Sequence, residues 1–252
     1  THAYKALPDD WDIPQVSYLT CAGVYSAREV EYDETTKKDV SSFTLLDRDG
    51  KTLGTYSDVK EQSTIHAGAG PFCGLICVQD QMTGKWGYID TSGKRVTDFA
   101  YDSAELFSYG YAVVGTKDAD GAMRYGLIDT SGDVVIAPDT YSGLGDCSEE
   151  GMVAFSDAST NKGGYLKVAD GKATVAIQPT SNYYRDFYYN WGEMFHEGLA
   201  IVRGDQSSSG ELSVIDTSGA VRFTFTGSPY GSFADGYLAV NDYKRSDGTT
   251  GN

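Results

Sequence analysis

One seven-residue phrase returns along this chain at a nearly constant interval, and that interval restricts the fold to a small set of repeat architectures. It reads Gly87-Tyr88-Ile89-Asp90-Thr91-Ser92-Gly93, then Gly126-Leu127-Ile128-Asp129-Thr130-Ser131-Gly132, then Ser213-Val214-Ile215-Asp216-Thr217-Ser218-Gly219. A divergent copy is Thr44-Leu45-Leu46-Asp47-Arg48-Asp49-Gly50, and a degraded one runs from Gly164 to Gly171. The closing glycines at 50, 93, 132, 171 and 219 are 43, 39, 39 and 48 residues apart.

A second phrase interleaves with the first at the same period. Phe107-Ser108-Tyr109-Gly110-Tyr111-Ala112-Val113-Val114 is matched by Phe195-His196-Glu197-Gly198-Leu199-Ala200-Ile201-Val202 and by Phe233 to Val240, with weaker copies from Gly74 and Gly151. Each is a short apolar run introduced by Gly, which reads as a strand. One unit is therefore strand a (the Gly-Leu-Ala-x-Val run), strand b (Trp86 to Ile89 in the second unit) and strand c (near Lys94 to Val96). In the Asp-Thr-Ser-Gly turn between b and c, the Asp side chain is expected to accept a backbone N–H two residues on, with Gly at positive φ. Such an antiparallel meander cannot bury its apolar face alone, so neighbouring units must supply the core.

Lys85-Trp86-Gly87-Tyr88-Ile89-Asp90 with Gly93, set between Phe-x-x-Gly-Leu-Ala-x-Val segments, resembles the WG-containing repeat found mainly in bacterial proteins. The likeness covers roughly residues 42 to 240. The Trp stands in register only at Trp86, becomes Tyr125 in the next unit, and is absent around Lys167 and Asp216; Trp191-Gly192 is out of register. The resemblance implies a repeat module often attached to the bacterial envelope, and it brings no catalytic residues to transfer.

The pieces imply an all-β protein of about five antiparallel meander units of about 40 residues. An N-terminal b–c hairpin without a clear strand a and a C-terminal strand a without a hairpin favour a propeller-like closed ring, in which Gly236 to Val240 pairs with Phe43 to Leu46. The competing arrangement is an open arc or solenoid in which Gly23-Val24-Tyr25 is a first strand a. Residues 1–41 read as an N-terminal extension or cap, with Arg28 to Asp39 a solvated loop or hairpin tip. Residues 42–240 form the repeat domain, and 241–252 a loose tail.

Thirty glycines, 19 tyrosines and 10 phenylalanines suit strands joined by tight turns. Acidic residues outnumber basic ones by 36 to 20, a net charge of −16 that repels phosphate backbones and anionic lipid, so nucleic acid is not an expected partner. No run approaches the roughly 20 apolar residues that span a bilayer, and Thr1 opens neither a charged n-region nor an apolar h-region. The expectation is a soluble ectodomain or cytosolic domain without membrane insertion in this segment.

Candidate chemistry is sparse, and no cofactor or metal is expected. Glu193-Met194-Phe195-His196 has a ligand spacing that works on a helix, but His196 falls inside the repeat phrase that marks a turn entering a strand. His66 sits in a Gly-rich connector and His2 is terminal. Asp47-Arg48-Asp49-Gly50 and Asp118-Ala119-Asp120-Gly121 lack the further ligands of an EF-hand loop and read as hairpin turns. No Gly-x-Ser-x-Gly elbow, phosphate-binding loop or His-Glu-x-x-His pair is present, so no enzyme is expected. Of the cysteines at 21, 73, 77 and 147, Cys73 and Cys77 would stand about 13 Å apart on a strand, too far to bridge. Free buried thiols suit either a reducing cytosol or the envelope of an anaerobe.

The connector from a closing Gly to the next Phe takes 14 steps from Gly93 to Phe107 and from Gly219 to Phe233, but 24 from Gly171 to Phe195. The added segment holds Tyr183, Tyr184, Phe187, Tyr188, Tyr189 and Trp191 with Arg185, Asp186 and Asn190. Aromatic faces among polar neighbours suit stacking on sugar rings or anchoring a protein, unless they simply plug the scaffold. Tyr183, Tyr184, Tyr188, Trp191, Arg185 and Asn190 are the candidate ligand-binding residues, expected on the same side as the lengthened connector around His66. The expected function is a non-catalytic bacterial surface module binding a glycan or protein. The alternative is a structural spacer ectodomain that presents another domain of a longer chain.

Overall fold

The computed structural model describes residues 15–19, 23–60, 73–157, 159–160, 162–181, 194–202, 211–241, 243–244 and 250–251. These residues contain strands and turns and no helix, hence no helix long and apolar enough to cross a membrane. The chain divides into two compact units, Thr1–Ser63 with Phe72–Leu106, and Thr64–Pro71 with Phe107–Asn252.

In the first unit, β1 (Gln15–Leu19), β2 (Val24–Asp33), β3 (Lys38–Leu46) and β4 (Thr52–Tyr56) form an antiparallel sheet in chain order. A second sheet joins β5 (Asp58–Val59), β6 (Leu75–Gln79) and β7 (Trp86–Asp90), followed by β8 (Ser103–Ala104). Val24 and Leu45 from the first sheet pack with Val59, Ile76, Val78 and Ile89 from the second.

In the second unit, β9 (Tyr111–Lys117), β10 (Met123–Asp129) and β11 (Val134–Tyr141) pair antiparallel. They are followed by the sheet of β12 (Gly143–Cys147), β13 (Met152–Ser156), β14 (Gly163–Ala169) and β15 (Lys172–Ser181), and by that of β16 (Leu199–Val202), β17 (Glu211–Asp216) and β18 (Val221–Thr226). Two short ladders close the described chain, β19 (Ser228–Ala234) with β20 (Tyr237–Asn241), and β21 (Tyr243–Lys244) with β22 (Thr250–Gly251). The strand a β13 is buried on both faces because its sheet packs against one sheet on either side. On β13 the alternation sends Val153 and Phe155 toward Val113 and Leu127 of the preceding repeat. Met152 and Ala154 go to Phe195, Ala200 and Ile215 of the following one.

Several sequence expectations change. The repeat has a fourth strand, since β1, β5, β12 and β19 each pair with the following strand a. These strands are short and carry no common phrase, which is why the sequence does not reveal them. The N-terminal repeat has its own strand a, β2, as in the open-arc alternative, so residues 15–33 belong to the first sheet; the Arg28 to Asp39 stretch forms the tip of the β2–β3 hairpin. Phe43 to Leu46 is already flanked by β2 and β4, and β20 pairs with β19, so the closing pair of 236–240 with 43–46 does not form. Within the tail read as loose, Tyr243 and Lys244 pair with Gly251 and Thr250.

The b–c turns follow the expected chemistry. Asp90 Oδ1 accepts the N–H groups of Ser92 at 2.8 Å and Lys94 at 3.0 Å, while Gly93 N–H bonds Asp90 O and takes φ 83°. This is a type I turn closed by a glycine bulge. The same arrangement recurs at Asp47, Asp129 and Asp216, and at Asp118 between β9 and β10. Three further a–b turns among the described residues begin on Asp33, Asp80 and Asp157, each accepting two backbone N–H groups of the loop.

Candidate functional site

The aromatic candidates Tyr183, Tyr184, Arg185, Tyr188, Asn190 and Trp191 lie outside the described residues, as do His66, His2 and Cys21. Their segment leaves the end of β15 at Ser181 and returns at Met194. Phe195, just past it, is 1% exposed and meets the Tyr165 ring edge-on at 4.8 Å between centroids. His196 occupies a hairpin turn, its N–H donating to Leu199 O at 2.9 Å; Glu193 is outside the described residues.

The motif residues themselves serve the scaffold. Trp86 is 9% exposed, with the Lys60 ammonium 5.5 Å from its ring centre. Lys60 also pairs with the Glu105 carboxylate at 2.9 Å, and Tyr88 donates its hydroxyl to Glu105 O. The motif glycine has a steric reason. At Gly126 a Cβ would lie 2.3 Å from both Ile136 O and Ala137 O. Strand c swells there: Tyr125 pairs with Tyr141 and Leu127 with Ile136, so four residues span what Gly126 spans alone. A similar shift flanks Gly164 and is missing beside Ser213, where β17 pairs regularly from Glu211 to Val214.

A carboxylate relay links consecutive strand-a turns. Tyr109-Gly110, Glu197-Gly198 and Asp235-Gly236 have positive φ at both residues, as a two-residue type I′ turn requires, which leaves their N–H groups pointing away from the hairpin. Glu150 Oε1 accepts the Gly198 N–H at 2.6 Å. Glu197 accepts Asp235 N–H and Gly236 N–H, one on each oxygen, both at 2.7 Å. Glu150 and Glu197 thus each hold the strand-a turn of the next repeat through charge-assisted bonds. Burial works to raise the Glu150 carboxyl, but the bonds from Gly198 N–H and the Ser148 hydroxyl outweigh it and hold the group below its ordinary value. The relay was missed in the sequence; its signal is an acid directly before Gly at 151, 198 and 236.

The distal half of the β2–β3 hairpin is an exposed surface. Val30, Tyr32 and Val40 are 52%, 55% and 52% exposed. Val30 and Tyr32 share a face with Arg28, which donates to Ser41 Oγ at 2.9 Å and lies 6.0 Å from the Phe43 ring. β1 covers β2 only from Val24 to Arg28 and β4 covers β3 only from Phe43 to Leu46, so Glu29–Asp33 and Lys38–Ser42 have no outer strand among the described residues. The tip is fixed by Asp33, which takes the N–H of Thr35 at 2.8 Å and the Thr36 hydroxyl at 2.8 Å.

Other chemistry is confined. Cys77 and Cys147 are buried and Cys73 half-buried, all as free thiols, so Cys73 and Cys77 do not bridge. Burial pushes the Cys147 thiol up to about 12, which removes it as a nucleophile at neutral pH. The Asp47 and Asp118 carboxylates are occupied by their own turns, as hairpin turns require, and no group of metal-ligating side chains forms among the described residues.

No curated protein matches the chain. Among solved structures, the chain is similar to the Pyrococcus horikoshii acylaminoacyl peptidase at 10% identity and TM-score 0.45, covering 87% of this chain and 41% of that one. It is similar to Kluyveromyces lactis Hsv2 at 14% identity and TM-score 0.41, covering 91% of this chain and 69% of that one. The chain therefore spans less than half the length of the peptidase. The family described as WG containing repeat matches at 86–118 and at 125–157, each match running from strand b of one repeat to strand a or its turn in the next. The chain thus carries two adjacent repeats of the WG-containing repeat family, with Trp86-Gly87 at the head of the first and Tyr125-Gly126 at the head of the second.

Proposed function

We propose that this chain is a non-catalytic binding module of the bacterial cell surface, with its repeats in a propeller-like ring, and that its ligand is a protein engaged by the β2–β3 hairpin. The observation that carries this reading is the pairing of exposed Val30, Tyr32 and Val40 with two strand edges that have no outer partner among the described residues. A protein can add a strand to such an edge, with main-chain bonds giving affinity and alternate side chains giving selectivity. Repeated antiparallel meanders suit a ring, as the blades of a propeller do. The aromatic segment with Tyr184, Tyr188 and Trp191 supports a glycan as the other ligand class, on sequence alone. The spacer alternative draws on the use of the motif residues Trp86 and Gly126 for packing.

The test compares the intact chain with two variants, Val30→Asp/Tyr32→Asp and Tyr184→Ala/Tyr188→Ala/Trp191→Ala, on a glycan array and in cross-linked pull-downs identified by mass spectrometry. A protein retained by the wild type and the aromatic variant but lost by the hairpin variant supports the proposal. Glycan binding lost only in the aromatic variant replaces it with the glycan reading, and absence of any ligand for all three proteins favours the spacer.

A further inference from the structure

Asp-Gly bonds are the sites at which a peptide chain most readily rearranges to isoaspartate, because the glycine nitrogen has an unhindered approach to the aspartate Cγ. Four lie among the described residues, at 49–50, 120–121, 170–171 and 235–236. They share a dipeptide and differ in what holds the glycine N–H. Gly50 donates to Asp47 O at 3.0 Å and Gly121 to Asp118 O at 3.0 Å, each inside a turn closed by the Asp side chain. Gly236 donates to the Glu197 carboxylate at 2.7 Å. Gly171 sits in a two-residue turn between β14 and β15, exposed, with φ 51° at Asp170 and 68° at Gly171, and its N–H has no acceptor among the described residues.

We infer that Asp170 is a modification site of this fold, the one described Asp-Gly bond open to spontaneous isoaspartate formation, and that the Glu197 carboxylate protects the matching bond at Asp235. In the first step the Gly171 nitrogen bonds to Asp170 Cγ, and a carboxyl oxygen leaves with two protons as water. In the second, water adds to the Asp170 main-chain carbonyl carbon and breaks its bond to the Gly171 nitrogen, so the chain then runs through the side chain. The sequence is redox-neutral and consumes the water it released. A bound glycine N–H resists because it must leave its acceptor before the nitrogen can attack.

The test ages the full chain at neutral pH, folded and in denaturant, and maps isoaspartate by electron-transfer fragmentation and by enzymatic methylation of isoaspartyl carboxylates. In the folded wild type, the Asp170 peptide accumulates isoaspartate several-fold ahead of the Asp49, Asp120 and Asp235 peptides, while in denaturant the four rates converge. Glu197→Ala brings Asp235 up toward the Asp170 rate and leaves Asp120 unchanged, which separates loss of the protecting bond from unfolding. Equal rates at the four sites in the folded wild type, or Asp235 unaffected by Glu197→Ala, would overturn the inference.

Discussion

Replacing Gly126 by Ala tests whether the motif glycine is required by close approach rather than by backbone freedom. The added Cβ would stand 2.3 Å from Ile136 O and Ala137 O and 2.4 Å from Ala137 C, all main-chain atoms of the swollen β11. Ordinary contact begins near 3.4 Å, so the outgoing strand must move by about 1 Å against Val113, Leu144 and Phe155, whose cluster includes Ile136. Overpacking that shifts backbone costs about 1–3 kcal/mol, and Ala in a strand recovers roughly 0.5–1 kcal/mol over Gly. The expected loss is therefore about 1 kcal/mol, which for a chain of this size lowers the thermal midpoint by about 2–4 °C. Circular dichroism melts of wild type, Gly126→Ala and Ser213→Ala measure it, the last serving as the equivalent position without a swollen partner. A Gly126→Ala midpoint within about 1 °C of wild type would refute the close-approach argument.

Three further outcomes follow from the turns and the core. Gly132→Ala, at φ 85°, should cost about 1 kcal/mol; Gly93→Ala should cost more, because its Cβ would also stand 2.9 Å from Leu53 O, and equal midpoints for the two would count against this. Because the folded Glu150 carboxyl is held below 4.5, its stabilising contribution is present above that value and is lost as the pH falls through the folded value; Glu150→Gln should be less stable at neutral pH and show a shallower acid loss in urea titrations. Phe195→Ala, which empties a fully buried site against Tyr165, should cost about 3–5 kcal/mol by chemical denaturation.

Much of the repeat was legible because its signals are local. An Asp that accepts N–H groups two and four residues ahead and a Gly that must take positive φ are both decided within five residues, and Asp90 to Lys94 forms as the sequence implies. The Asp33, Asp80 and Asp157 turns escaped notice because the residues between Asp and the closing Lys vary. The reason for Gly126 is carried by a strand that returns ten residues later, and the Glu197 bond to Gly236 spans 39 positions, so neither leaves a local trace. The closing pair failed for a related reason. β2 begins as a good strand at Val24 but runs out into charged, exposed residues from Arg28, which disguises it as a loop. The aromatic segment around Tyr188 lies outside the described residues, so its role still rests on composition.

The aspartate-capped hairpins also give the chain's acidity an origin. Asp33, Asp47, Asp80, Asp90, Asp118, Asp129, Asp157 and Asp216 each bind main-chain N–H groups of their own turns, so a sizeable part of the excess behind the −16 charge is a by-product of how strands are joined. A repeat of this design brings up to two carboxylates with its two hairpins. Lengthening such an array by duplication therefore makes its net charge more negative with every repeat, without any selection for an acidic surface, and the electric field around the molecule becomes a measure of how many repeats it contains.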